Sequence, residues 1–127
     1  MGQIERVKEL RNGENLGKYN CAQSLLAAYH EALGVDEETA RNMGNFFGGG
    51  MMHGATCGAI SATFMILGAK GIPRTVASQR LKDFREKHKD TNCVNLLTMS
   101  KEAGIDKKQH CDGLIFEAAE FLDEVLK

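Results

Sequence analysis

The chain reads as an all-α protein, and three features say so. Its apolar residues recur at helical rather than alternating spacing. Good capping residues, Asn20, Asp36 and Asn92, stand directly before periodic segments. Among 127 residues there is one proline, Pro73, so few breaks are forced. No segment alternates as a half-buried strand does, and no internal repeat is visible. The expectation is a single compact helical domain over residues 1–127, with about six to seven helices.

Taken in order, Ile4, Val7 and Leu10 mark a short first helix that ends near Asn12-Gly13. Asn20 caps a second helix over Cys21–Leu33, in which Leu25, Leu26, Tyr29 and Leu33 share a face, and Gly34 stops it. Asp36 caps a third, with Glu37 and Glu38 in the first turn, where the helix dipole favours acids. It runs to about Asn45.

The stretch from Asn45 to Gly71, NFFGGGMMHGATCGAISATFMILGAKG, organises the rest. Its glycines allow backbone to approach a ligand closely, and a glycine run opening onto a helix start can receive something small or anionic. The helix that follows, from about Ala55 to Ala69, is apolar on nearly all sides and should be the buried central one. After the Gly71-Ile72-Pro73 break, residues 74–89 are amphipathic, with Val76, Leu81 and Phe84 opposite a charged face. Asn92 precedes another short helix from Cys93, and His110-Cys111-Asp112 leads into a last one. Its apolar face, including Leu114, Ile115, Phe121 and Leu122, could serve a homodimer.

A chain of this length buries roughly two thirds of its unfolded surface, enough to fold without metal or disulfide support. Hydrophobic residues make up 43% and charged residues 26%, and the formal net charge is −1. That balance offers no basic surface for nucleic acid. The N-terminal stretch has no apolar core of the kind a secretory signal needs, and the longest apolar run is too short for membrane insertion. We expect a cytoplasmic protein whose thiols are kept reduced.

The four cysteines, Cys21, Cys57, Cys93 and Cys111, are all expected at helix N-termini. Free amides and the positive end of the dipole stabilise a thiolate there. Four such termini facing one point would suit an anionic centre or a pair of activated thiols. A single buried cysteine would be a small hydrophobe. The spacing restricts the chemistry further. No Cys-x-x-Cys pair occurs, which argues against a zinc ribbon, a thioredoxin-type site and a bacterial-type ferredoxin run, and excludes covalent haem attachment. His53 and His110, each near a cysteine, are candidate ligands or sulfur hydrogen-bond donors, with plain polar loop residues as the simpler reading. His30 and His88 are expected on solvated charged faces, Met51 and Met52 as core fillers or soft ligands, and Tyr19 at a pocket entrance.

The order NCAQ, GGGMMHGATCGAISA, a lone Cys93 and a lone Cys111 before a final amphipathic helix resembles the C_GCAxxG_C_C family of small redox-active bacterial and archaeal proteins. The resemblance implies that Cys21, Cys57, Cys93 and Cys111 are its four cysteines and that Gly48, Gly49, Gly50 and Gly54 are its glycine-rich cofactor segment. Cys57, Gly58 and Ala59 form its core motif, whose usual closing glycine is Ala62 here. A similar domain in split-Soret cytochromes is associated with an iron–sulfur centre, and the resemblance extends that expectation to this chain without the haems.

Two classes of function follow. One is electron transfer or sensing by an iron–sulfur cluster, [2Fe–2S] in the simplest form, held by the four thiolates and served by a redox partner protein. The other is a metal-free thiol–disulfide oxidoreductase with Cys57 as nucleophile and a second cysteine, Cys21, resolving the mixed disulfide. A module holding zinc is the third reading.

Overall fold

The computed structural model describes residues 2–127. It holds eight α-helices: α1 (Ile4–Arg11), α2 (Cys21–Ala28), α3 (His30–Leu33), α4 (Glu37–Met43), α5 (Gly58–Ala69), α6 (Arg74–His88), α7 (Cys93–Glu102) and α8 (Lys107–Leu126). The fold is all-α, as expected, and no strand occurs among the described residues.

Local sequence accounts for most of the boundaries. Asn20 caps α2 with a full capping box: its side chain accepts from the Gln23 amide, and the Gln23 side chain accepts from the Asn20 amide. Asp36 accepts from the Thr39 amide and caps α4. Gly34 closes α3 in the left-handed conformation, φ 76°. The second helix is not continuous, however. It breaks at Tyr29 (φ −100°, ψ 25°) into α2 and α3.

The core gathers on α2 and α5 together. In α2, Ala22 and Ser24–Ala28 are all buried, and the helix touches α1, α4, α5 and α8. Helix α5 buries Ala59, Ile60, Ala62, Thr63, Ile66 and Leu67 and packs on α2, α3, α6 and α8. Ala62, at the position of the family's closing glycine, is fully buried. Helix α8 turns Leu114, Ile115, Ala118, Ala119 and Leu122 into this same core. The face considered for a homodimer is thus used inside the chain.

Three expectations are corrected by the structure. Helix α5 begins at Gly58 and not near Ala55, because the residues before it are extended. Thr56 forms an isolated antiparallel bridge with Asn92. Helix α8 begins four residues before Cys111, because Asp106 accepts from the Gln109 amide and caps it there. His30 and His88 are half-buried and bonded: His30 Nδ1 lies 2.9 Å from the Val35 carbonyl, and His88 Nε2 lies 2.6 Å from Glu117 Oε2. Glu117 also pairs with Lys87 at 3.1 Å and Arg80 at 3.9 Å, so α6 is tied to α8 through one carboxylate.

Helix α1 has no side-chain cap of its own. Asp123, near the far end of α8, supplies one. Its carboxylate accepts from the Gln3 amide at 2.8 Å and the Ile4 amide at 3.2 Å, and the Tyr29 hydroxyl lies 2.6 Å from it. Losing a cap and stranding these donors costs roughly 2 kcal/mol. Asp123→Ala should therefore lower the urea midpoint without changing the slope. A midpoint equal to wild type would show that water replaces the carboxylate fully.

Candidate metal centre

The cysteines reach one place by two routes. The first is the bridge before α5 and α7. The Cys57 amide donates to the Thr91 carbonyl at 2.9 Å, and the Cys93 amide donates to the Ala55 carbonyl at 2.6 Å. These two bonds set the starts of α5 and α7 side by side, with Cys57 as the N-cap of one and Cys93 as the first residue of the other. The second route is close helix packing. A Cβ on Gly58 would sit 2.4 Å from Cys21 Sγ and 2.7 Å from the Phe47 carbonyl oxygen. The absence of a side chain at Gly58 is what lets the starts of α2 and α5 meet.

The result is one cavity of about 370 Å³ lined by Cys21, Cys57, Cys93 and Cys111, with Arg11, Lys107 and His110 around them. It is far larger than the roughly 10–15 Å³ that admits one water. Cys57 is buried and the other three are half-buried, and all four are free thiols.

Cys111 reaches the cavity differently from the other three. It lies one turn inside α8, where the helical ladder is already closed: the His110 amide bonds back to the Asp106 carbonyl at 3.0 Å. It is not at a helix N-terminus, and free amides do not serve its sulfur.

Burial, not the helix start, dominates Cys57, Cys93 and Cys111. It pushes Cys57 up to about 12; the Cys21 thiol adds to this, and the Ala59 and Ile60 amides oppose it. Those amides approach the sulfur without making a full capping hydrogen bond. Cys93 and Cys111 are also raised, first by burial and next by Cys21, while Lys107 pulls both back and Arg11 pulls Cys111 back.

The glycines divide. Gly49 lines the cavity. Gly48, Gly50 and Gly54 pack against protein: a Cβ on them would meet Asn20 at 2.7 Å, the Ala55 carbonyl at 2.4 Å and Val94 at 2.9 Å. They shape the loop that holds Cys57 and do not face the cavity. His110 lines it, with a pKa lowered by burial and by His88. His53 is exposed and does not. Met51 and Met52 are neither core nor lining: they stand 48% and 70% exposed, in left-handed backbone at φ 56° and 69°. Tyr19 lines the cavity, with the Arg41 guanidinium 4.3 Å over its ring.

Three lining cations, Arg11, Lys18 and Lys107, were not expected from the sequence. Lys107 was within reach, since Asp106-Lys-Lys-Gln109 is itself a capping pattern. Arg11 carries no local signal, because its partners lie on other elements.

Among the described residues no three Cys, His, Asp or Glu side chains stand close enough to hold one metal ion. A tetrahedral zinc site needs its sulfurs within about 2.3 Å of one point. Thiols spread around a larger cavity fit a group of several atoms better.

Residues 19–125 match the C_GCAxxG_C_C family, described as "Putative redox-active protein". The chain belongs to this family. No curated protein and no solved structure matches it. No helix among the described residues is long and apolar enough to cross a membrane.

Proposed function

We propose that this C_GCAxxG_C_C protein holds an iron–sulfur cluster, in the [2Fe–2S] form, on Cys21, Cys57, Cys93 and Cys111, and uses it for electron transfer or sensing. The observation that carries this reading is the single cavity into which four separate elements each bring one cysteine. When bound, such a cluster supplies reversible one-electron chemistry. The chain's residues supply the rest. The four thiols give up their protons to become ligands, and the raised pKa values of Cys57, Cys93 and Cys111 make that step favour alkaline conditions. Arg11 and Lys107 offset the negative charge of four thiolates. Leu96, Leu97 and Leu114 wall the cavity from water and lower the local dielectric. A redox protein exchanging one electron at a time is the matching partner.

The dithiol reading fits less well. A nucleophile needs a thiolate, and burial holds Cys57 protonated at neutral pH. Zinc is disfavoured by the spread of the ligands.

Protein purified without oxygen should show visible bands, with about two irons and two sulfides per chain. Changing any one of Cys21, Cys57, Cys93 and Cys111 to Ser should weaken or abolish them. Colourless, iron-free protein that also resists reconstitution with iron and sulfide would overturn the proposal. Zinc analysis and thiol titration would then separate the other two readings.

A further inference from the structure

Arg11 lies on α1, outside the residues that match the family. Its side chain is only 13% exposed. Its Nε donates to Asp112 Oδ1 at 2.7 Å, and its guanidinium donates to the Tyr19 carbonyl, also at 2.7 Å. Tyr19 stands two residues before Cys21, and Asp112 follows Cys111 directly. One guanidinium therefore ties the backbone leading into Cys21 to the helix bearing Cys111. The same group lines the cysteine cavity.

From this geometry we infer that Arg11 is a positioning residue for the centre: it braces the Cys21 and Cys111 segments and sets the centre's reduction potential through its charge. The inference rests on the cluster reading above. Its physics is simple. Guanidinium stays protonated at any working pH, and its planar fork can hold two acceptors at fixed angles. Reduction adds one negative charge to a site already negative from four thiolates. A fixed positive charge in a poorly hydrated setting favours that step. Asp112, 16% exposed, neutralises part of this charge and is itself also bound by Lys108. Arg11 and Asp112 thus act on the centre with opposite sign, although they share one hydrogen bond.

That opposition supplies the test. Wild type, Arg11→Gln, Arg11→Lys and Asp112→Asn are purified without oxygen. Iron and sulfide are measured, and the visible bands are followed in a potentiometric titration. Arg11→Gln should shift the midpoint potential to more negative values, Asp112→Asn should shift it to more positive values, and Arg11→Lys should stay near wild type. Arg11→Gln removes a positive charge and Asp112→Asn a negative one at the two ends of the same bond, which the Asn oxygen can still accept, so a merely structural role would not move the two potentials in opposite directions. Equal potentials in wild type and Arg11→Gln, or shifts of one sign in both, would overturn the inference. If Arg11→Gln does not fold, the sign of the Asp112→Asn shift against Arg11→Lys decides. Wild type that takes up no iron and sulfide overturns the cluster reading itself, a result distinct from a cluster whose potential ignores Arg11.

Discussion

Gly58→Ala should lower stability by about 1–2 kcal/mol and leave the protein unable to gather its four cysteines. Two effects compete at this position. Gly58 is the first residue of α5, and alanine is the better helix former by up to about 1 kcal/mol. Against that stands contact: the new Cβ would lie 2.4 Å from Cys21 Sγ and 2.7 Å from the Phe47 carbonyl oxygen. The sulfur could turn aside, but the carbonyl is backbone and has little room. Overpacking of this kind costs about 1–3 kcal/mol, so sterics exceed propensity. The motion that relieves it either rotates Cys21 away or separates the starts of α2 and α5. Either one opens the cysteine set. Gly68 lies in the same helix, and a Cβ there would meet no other part of the chain within 4 Å, so Gly68→Ala serves as the control. It should gain roughly 0.5–1 kcal/mol and keep full iron binding. Urea unfolding together with iron content measures both. Equal behaviour of the two variants would mean that the close approach at Gly58 does not hold the site together.

The contrast between these glycines shows which parts of the structure local sequence can express. Caps are local: Asn20 with Gln23, and Asp36 with Thr39, use bonds three residues apart, so they can be read from the sequence. The order of helices follows from them and from apolar spacing. The same three-residue pattern at Asp106 and Gln109 marks the start of α8 four residues before Cys111. Cys111 therefore stands inside the helix and not at the N-terminus that its neighbours suggest. Features joining distant residues left no such mark. The Thr56–Asn92 bridge is one residue pair long, too short for any alternation to announce it. Asp123 caps a helix about 120 residues away, and Arg11 meets Asp112 about 100 residues away. A carboxylate or guanidinium at such a position looks like any surface charge. The cysteines were legible as a set because of their type and their place beside caps, whereas their burial, which decides their chemistry, depends on the packed core.

Burial makes a second strong prediction, for the metal-free protein. Its stability should fall steeply as pH rises from about 8.5, where an ordinary thiol ionises, toward 12. The sign follows from linkage. In the folded chain Cys57 holds its proton up to about 12, so between these limits the folded state binds more protons than the unfolded one. Stability from this group is complete below the unfolded value and is lost as pH climbs toward the folded one. The slope from one such thiol is about 1.4 kcal/mol per pH unit. Cys93 and Cys111 shift in the same direction and steepen the fall. Tyr29, raised by burial and by Asp123, adds to it above the ordinary tyrosine range. Urea midpoints between pH 7 and pH 11 measure the effect, and Cys57→Ala should flatten part of it. Parallel curves for wild type and Cys57→Ala would mean that Cys57 is not a protonated buried thiol. Bound metal changes the outcome in a specific way. Ligand thiols have already lost their protons, so in loaded protein the thiol part of the fall should be absent and only the Tyr29 part, above the ordinary tyrosine range, should remain. The burial that makes Cys57 a poor nucleophile at neutral pH therefore makes the pH dependence of stability a direct report on whether the four cysteines hold metal.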